Sequence, residues 1–272
     1  MATDPPQATA APTLLVADRI TKRFGGVQAL SDVSFAIREG EIYGLIGPNG
    51  AGKTSLFNVL TGIYPADGGE FVFEGQSLAG LKPHEVATCG IARTFQNIRL
   101  FANLSALENV MIGRHVRTHA TVFGAILRNA RTREEERAIE KRGYALLEYV
   151  GVARRANDLA KHLAYGDQRK LEIARALATD PRLLALDEPA AGMNATETAA
   201  LRALLERIRG DGTTILLIEH DMKLVMSICD RVLVLDYGKK IAEGIAADVQ
   251  QDEKVIAAYL GGDVALDLKR RA

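Results

Sequence analysis

The chain has 272 residues, with 34 acidic and 34 basic side chains, so its formal net charge is zero. This length suits one large α/β domain, or one domain that carries a subdomain. The balanced charge argues against a general nucleic-acid binder, which usually has a basic excess. No apolar run in the sequence is long enough to span a bilayer.

Both the beginning of the chain and its cysteines favour a soluble cytoplasmic protein. Residues 1–13 are rich in Ala, Pro and Thr and lack the basic start and apolar core of a secretion signal, so we expect a disordered lead-in. Cys89 and Cys229 are the only cysteines, and neither has the spacing of a metal ligand. We interpret both as small apolar core residues in a reducing compartment.

The first part of the chain is predicted to be rich in β-strands. Short apolar or alternating runs, separated by glycines, lie at residues 14–20, 33–37 and 71–73. A further apolar run at residues 41–46 predicts a buried strand, and residues 54–60 predict a helix.

Residues 47–54, between that strand and that helix, match the G-x-x-x-x-G-K-[ST] pattern of a phosphate-binding loop. Glycines let main-chain N–H groups approach phosphate oxygens, Lys53 can reach the β- and γ-phosphates, and the Thr54 hydroxyl can ligate Mg²⁺. A glycine-rich turn could match by chance, but the strand and the helix on either side favour a site for a nucleoside triphosphate. The nucleotide-binding residues predicted here are Gly47, Pro48, Asn49, Gly50, Ala51, Gly52, Lys53, Thr54 and Ser55.

The middle of the chain, from residue 105 to about residue 163, has a helical pattern. Its charged run at residues 131–142 is most simply a solvated helix face, and we assign it no chemistry. A helical stretch between two α/β parts predicts an insertion into the core.

The last part of the chain returns to an α/β pattern. Continuous apolar runs at residues 183–187 and 214–218 are typical of strands buried on both faces. Residues 231–241 predict a hairpin with its turn at Tyr237 and Gly238.

Two carboxylates, Asp187 and Glu188, end the first of these apolar strands, and Pro189 terminates it. An aspartate at this place can hold Mg²⁺ through its water shell, and a following glutamate can polarise an attacking water. Acidic residues often lie at strand ends, but their combination with a phosphate loop favours nucleotide hydrolysis.

A glycine turn that opens a helix lies at residues 163–177, shortly before the strand of Asp187. Main-chain amides at such a helix start can meet an anion. An ordinary helix start explains the same residues equally well, and the residues alone leave both interpretations open.

The order of these motifs resembles that of an ATP-binding cassette (ABC) ATPase. The phosphate loop, an isolated Gln96, the glycine turn, the Leu-Asp-Glu-Pro run and the Glu-His-Asp run at residues 219–221 follow one another as in that family. The resemblance implies an α/β fold: a P-loop NTPase core with an antiparallel β subdomain and an inserted α-helical subdomain. It implies an ATPase domain at residues 14–262, with the helical subdomain at about residues 97–180 and a tail at residues 263–272.

The resemblance also implies roles for single residues. Gln96 is similar to the glutamine that senses Mg²⁺ and water and links the site to a membrane partner. His220 is similar to the histidine that contacts the γ-phosphate and positions water for the catalytic Glu188. Phe24 is similar to the aromatic residue that stacks on adenine. The implied cofactors are ATP and Mg²⁺, with metal ligands from Thr54, Gln96 and Asp187.

The turn at residues 163–168 is similar to the family's signature motif, which binds the γ-phosphate of an ATP held by the opposite subunit. We call these residues the signature turn: Leu163, Ala164, Tyr165, Gly166, Asp167 and Gln168. The common form is Leu-Ser-Gly-Gly-Gln, so Ala164 and Tyr165 replace its Ser and first Gly. Where the family usually has an aspartate that pairs across the dimer, Asn194 offers an amide without charge. Leu-Ala-Tyr-Gly and Ile-Glu-His-Asp-Met resemble the ATPases of branched-chain amino acid importers, so we interpret both departures as subfamily features.

The resemblance implies an ATP-hydrolysing importer subunit, peripheral on the cytoplasmic face of the inner membrane. Its implied partners are a second cassette subunit, identical or related, transmembrane permease subunits and, indirectly, an external solute-binding protein; no nucleic-acid partner is expected. We predict that residues 97–110 help to form the groove for a permease helix. The alternatives are a non-transport cassette protein, a regulatory scaffold without catalysis, or an importer ATPase for amides, urea or aromatic acids.

Overall fold

The computed structural model describes residues 11–114, 116 and 130–260. Residues 1–10 of the predicted lead-in and the predicted tail at residues 263–272 lie outside the described residues. The described chain forms two sheets and a set of helices. In chain order they are β1 (Thr13–Phe24), β2 (Val27–Arg38), β3 (Ile42–Ile46), α1 (Lys53–Leu60), β4 (Gly68–Phe73), β5 (Gln76–Ser77), α2 (Pro83–Cys89), β6 (Ile91–Arg93), α3 (Ala106–Arg114), α4 (Ala130–Val150), α5 (Tyr165–Leu177), β7 (Leu183–Asp187), α6 (Ala195–Gly210), β8 (Thr214–Ile218), α7 (Met222–Ile228), β9 (Arg231–Asp236), β10 (Lys239–Ile245), α8 (Ala246–Gln251) and α9 (Glu253–Leu260).

The first sheet has four antiparallel strands in the order β2-β1-β4-β5. Its buried side chains, among them Leu15, Ile20 and Ile37, pack into one core with Phe57 of α1. This sheet confirms the antiparallel β part of the predicted fold class.

The second sheet has six strands in the order β10-β9-β3-β8-β7-β6, all parallel except β10. Every residue of β3, β7 and β8 is buried, as the continuous apolar runs predict for strands covered on both faces. The predicted hairpin is confirmed: Tyr237 and Gly238 turn between β9 and β10 with φ values of 43° and 76°. Two positive φ values match a type I′ turn.

The boundaries of two elements before and after the phosphate loop differ by one residue from the prediction. The strand predicted at residues 41–46 begins at Ile42, and the helix predicted from residue 54 begins at Lys53. The first helical turn therefore already contains the lysine of the motif.

Helices α3, α4 and α5 pack against one another beside the parallel sheet. At Gly113 of α3, a Cβ would lie 2.3 Å from the main-chain oxygen of Arg175 in α5, so only a glycine permits this close approach. Residues 133–142 of α4 are mostly exposed, which confirms the predicted solvated face. Within the stretch predicted to be helical, from residue 105 to about residue 163, the described residues form α3 (Ala106–Arg114) and α4 (Ala130–Val150); residues 115 and 117–129 lie outside the described chain.

Only some of the residues that were predicted to receive a permease helix are exposed. Leu107 and Val110 lie in the core, and Leu100 is half-buried against it. Phe101, with 49% of its surface exposed, remains accessible. The surface available to a partner is therefore smaller than the run of apolar residues suggests.

Both cysteines are free thiols; Cys229 is buried and Cys89 is half-buried against a core cluster. This agrees with their predicted role as apolar core residues. Burial raises the pKa of Cys229 to about 12, so its thiol is not a reactive thiolate at neutral pH. Within the described ranges, no helix is both long enough and apolar enough to cross a bilayer.

Candidate active site

The candidate site residues follow four neighbouring strands of the six-stranded sheet. β3, β8, β7 and β6 run parallel side by side, so the loops at their carboxyl ends meet at one edge of the sheet. The phosphate loop follows β3, His220 follows β8, Glu188 follows β7 and Gln96 follows β6. Strand order thus explains how motifs far apart in the sequence converge.

Two glycines of the phosphate loop are required by close main-chain contacts. Gly47 has a φ of 150°, and a Cβ on it would lie 2.1 Å from the main-chain oxygen of Leu235. Gly52 has a φ of 103°, and a Cβ there would lie 2.6 Å from the oxygen of Ala29. Both conformations and both contacts exclude a side chain, so β9 and β2 support the loop from behind.

Lys53 lies within the loop rather than in solvent. Its Nζ donates hydrogen bonds to the main-chain oxygens of Gly47, at 2.7 Å, and of Pro48, at 3.0 Å. Burial lowers the pKa of its amine, whereas the nearby carboxylates of Glu188 and Asp187 act in the opposite direction. A cation held at the mouth of the loop is placed to meet phosphate oxygens.

Gln96 and His220 converge on one oxygen of Glu188. Gln96 Nε2 donates a hydrogen bond to Glu188 Oε2 at 3.0 Å, and His220 Nδ1 lies 3.7 Å from the same oxygen. Glu188 has a φ of 47°, which is uncommon for a residue other than glycine and is typical of functional sites. Its N–H donates to the oxygen of Ile218 at 2.9 Å, which fixes the main chain in this conformation.

Glu219, for which no role was predicted from the sequence, joins the loops that follow β7 and β8. Its fully buried carboxylate accepts hydrogen bonds from the N–H of Ala190 at 2.8 Å and from the N–H of His220 at 3.2 Å. Burial raises the pKa of Glu219, and these main-chain donors oppose that shift. A signal was present in the sequence, because a glutamate that directly continues an apolar strand needs buried partners.

Asp187 supplies a buried carboxylate beside the phosphate loop. Only 2% of its surface is exposed, and its N–H donates to Thr94 Oγ1 at 3.3 Å. Burial raises its pKa to about 6, although the positive charge of Arg93 opposes the shift. A divalent cation would relieve the cost of this buried charge, and the implied donors from Asp187, Thr54 and Gln96 are the oxygens that Mg²⁺ prefers. The residue types therefore fit Mg²⁺.

The signature turn forms the predicted helix start but lies apart from the phosphate loop. Ala164 is the N-cap of α5, and its methyl group cannot accept a hydrogen bond from the first turn of the helix. Gln168 Nε2 donates to the oxygen of Leu163 at 2.9 Å. The depression around the phosphate loop is lined by residues 49–55 of that region, by residues 27–29 and by Gln96, Glu188, Tyr237 and Gly238, and not by residues 163–168. Within one chain, the structure does not bring the signature turn into this depression.

Asn194 has a local structural role that the sequence analysis did not foresee. It is the N-cap of α6: its Oδ1 accepts from the N–H of Glu197 at 3.0 Å, and Glu197 Oε2 accepts from the N–H of Asn194 at 2.9 Å. The oxygen of the uncharged amide that replaces the family's usual aspartate therefore accepts a hydrogen bond within its own helix. This reciprocal pair is a capping box.

Phe24 ends β1 and has 42% of its surface exposed. Its ring meets the edge of the Tyr64 ring, with 5.2 Å between centroids, and Lys22 Nζ lies 5.5 Å from its centroid. It does not line the depression around the phosphate loop. The exposed ring leaves a surface on which a planar base can stack.

A family model described as ABC transporter matches residues 30–191. The chain belongs to the ABC transporter family. Its cassette is that of an ATP-binding, ATP-hydrolysing enzyme. A second model, described as branched-chain amino acid ATP-binding cassette transporter, matches residues 239–265 of the cassette.

Two relatives of this cassette carry transport names. The high-affinity branched-chain amino acid transport ATP-binding protein LivG of Salmonella typhimurium is 45% identical over 249 residues, which cover 91% of this chain and 98% of LivG. BraF of Pseudomonas aeruginosa, which has the same descriptive name, is 43% identical with the same coverage. A crystal structure of the ADP conformation of MJ1267, an ATP-binding cassette of an ABC transporter, has a TM-score of 0.80 and 32% identity, and the match covers 92% of this chain and 99% of MJ1267.

Proposed function

We propose that this cassette is the ATP-hydrolysing subunit of an importer for branched-chain amino acids, working on the cytoplasmic face of the inner membrane. The proposed role in ATP hydrolysis is supported by the convergence of Gln96 and His220 on Glu188, beside the phosphate loop. The proposed solute rests on the names of LivG and BraF and on the match of residues 239–265.

In the proposed mechanism, main-chain N–H groups of the phosphate loop and Lys53 bind the phosphates of ATP. Glu188 accepts a proton from the water that attacks the γ-phosphorus, and the bond to the ADP oxygen breaks. The Gln96 amide holds the Glu188 carboxylate by its hydrogen bond, and His220 contacts the γ-phosphate. Mg²⁺, bound through Thr54, Gln96 and Asp187, would neutralise the charge that develops on the phosphate oxygens.

A second cassette subunit would complete the site. The signature turn does not line this chain's own depression, so we propose that it meets ATP held by an identical or related partner. In this assembly, residues 14–262 act as the ATPase domain and residues about 97–180 as its helical subdomain. We further propose that permease subunits dock near Phe101, and that the exposed Phe24 stacks on adenine.

The test is to copurify the native complex, reconstitute it in vesicles with its solute-binding protein, and measure ATP hydrolysis. Leucine, isoleucine and valine are each compared with acetamide, urea and benzoate. We expect stimulation by the branched-chain amino acids and none in a matched complex that contains Glu188→Gln. Stimulation by one of the other solutes alone would overturn the proposed solute, and copurification with ribosomes or nucleic acid without permeases would overturn the transport role.

A further inference from the structure

A buried cluster of charged residues lies on the face of α5 that meets the loop of Gln96. The side chains of Arg169 and Glu172 are only 3% and 1% exposed, and they face each other with 3.3 Å between Arg169 Nη1 and Glu172 Oε2. Arg175 Nη2 lies 3.8 Å from the other oxygen of Glu172. Buried charges are costly unless hydrogen-bond partners compensate for the loss of water. The partners of this cluster therefore show which segment it binds.

The cluster holds the main chain on both sides of Gln96. Glu172 Oε1 accepts from the N–H groups of Phe95 and Arg99, both at 3.3 Å. Arg169 Nη1 donates to the oxygen of Phe95 at 2.8 Å, and Arg169 Nη2 donates to the oxygen of Gln96 itself. Arg175 Nη1 also donates to the oxygen of Arg99 at 2.5 Å. We call residues 95–99 the Gln96 loop, and its position is therefore set by three side chains of α5.

The same guanidinium also reaches the signature turn. Arg169 Nη2 donates to the hydroxyl of Tyr165 at 3.1 Å, and the guanidinium carbon lies 5.5 Å from the centre of the tyrosine ring. Tyr165 stands where the common signature motif has a glycine, which has no hydroxyl to accept this bond. The replacement of this glycine by Tyr165 thus supplies a contact, through Arg169, between the signature turn and the Gln96 loop.

We propose that Arg169 is a positioning residue that joins the Gln96 loop to the signature turn, with the Tyr165 hydroxyl as the contact on the signature side. A guanidinium has a rigid planar fork, so it can hold two acceptors in a fixed relation, as an ammonium cannot. Displacement of Gln96 by the bound γ-phosphate is then passed to the turn that faces the neighbouring ATP. The inference rests on the proposed roles of Gln96 and of residues 163–168.

An unpaired donor on Arg169 indicates that this side chain positions its neighbours rather than stabilising the fold. Arg169 Nε is a buried donor without a hydrogen-bond partner among the described residues. A buried donor left in this state lowers stability. The Nη1 and Nη2 groups of Arg169 together donate to four acceptors, while its Nε–H is left unpaired within the described chain.

The test compares Tyr165→Phe, Arg169→Lys and the double variant in the assembled complex, with Tyr144→Phe as the control for loss of an exposed tyrosine hydroxyl elsewhere in the helices. Loss of one such hydrogen bond changes an equilibrium by about threefold to tenfold. We expect kcat to fall by that factor in Tyr165→Phe while KM for ATP changes by less than about twofold, since the phosphate loop is intact. Amide hydrogen exchange in the Gln96 loop should quicken, and the double variant should be no slower than Arg169→Lys, because both changes remove the same contact.

An unchanged kcat in folded Tyr165→Phe, additive losses in the double variant, or an equal loss in Tyr144→Phe would overturn the inference. So would a loss of kcat that matches the loss of folded protein by thermal unfolding. Glu188→Gln in the same preparation keeps the two proposals apart. If that variant still hydrolyses ATP, the proposed function fails, whereas an inactive Glu188→Gln beside an unchanged Tyr165→Phe removes only the coupling.

Discussion

The phosphate-loop edge of the sheet and the signature turn are held by different kinds of contact. At the sheet edge, parallel strands fix where each loop begins, and main-chain atoms support the loop, as at Gly47 against Leu235. The signature turn is instead contacted by side chains: Arg169 donates to the Tyr165 hydroxyl from within α5, and the Glu197 side chain of α6 lies next to Gly166. We infer that the first region resists displacement and that the second is suited to move when a ligand changes the contacts of Gln96.

The largest expected effect is at the sheet edge, where Glu188→Gln should abolish turnover without loss of ATP binding. The amide keeps the shape of the side chain but cannot accept the proton, so hydrolysis should fall by about 10²-fold to 10⁴-fold. Phosphate release measures the rate, and equilibrium binding of a labelled ATP measures affinity. Hydrolysis within tenfold of the wild-type rate would remove Glu188 from its proposed role.

Matched glycine substitutions test the contrast in rigidity directly. Gly47→Ala places a Cβ against a main-chain oxygen at 2.1 Å, and we expect the free energy of unfolding to fall by about 2–4 kcal/mol. Gly166→Ala places a Cβ 2.8 Å from Glu197 Oε1, a side-chain atom that can move, so we expect a fall of about 1 kcal/mol or less. Urea unfolding of both variants measures this, and equal losses would contradict the difference between the two regions.

The buried charge of Asp187 predicts a stability that depends on pH at the sheet edge. Burial raises its folded pKa to about 6, above its ordinary value, so ionisation weakens the fold as the pH rises from about 4 to above 6. Without Mg²⁺ or nucleotide, Asp187→Asn should therefore be more stable than the wild type at pH 7, by about 1–3 kcal/mol, and nearly equal to it at pH 4. The measurement is the difference in unfolding free energy between the two proteins, with and without Mg²⁺. A difference that is the same at both pH values would contradict the assigned pKa.

A smaller effect is expected at the N-cap of α6, in the loop that follows β7. Asn194→Ala removes the N-cap of α6, and the free energy of unfolding should fall by about 1 kcal/mol. Asn194→Asp keeps an oxygen that can accept the same bond and should restore most of this loss. If alanine and aspartate destabilise equally, the side chain does not act as a cap.

The sequence predicted the sheet edge better than the helical region for a physical reason. Strands such as β7 and β8 are buried on both faces, so their apolar runs are continuous, and a turn such as Tyr237-Gly238 depends only on neighbouring residues. Glu188 was identified because it ends such a strand beside a phosphate loop, whereas the roles predicted for Gln96 and His220 came from the resemblance to the ABC family. Arg169 and Glu172 were assigned no role because their buried charges are satisfied by contacts with the distant Gln96 loop, which periodicity does not reveal.

The buried carboxylate of Glu219 has a consequence for which changes of length the site can accept. Its carboxylate accepts from the N–H of Ala190 in the loop after β7 and from the N–H of His220 in the loop after β8. These two hydrogen bonds fix the position of one loop relative to the other. Adding or deleting a residue between β7 and Ala190 would move the Ala190 N–H away from this carboxylate. The length of that loop is therefore constrained by a hydrogen bond to the loop of the neighbouring strand.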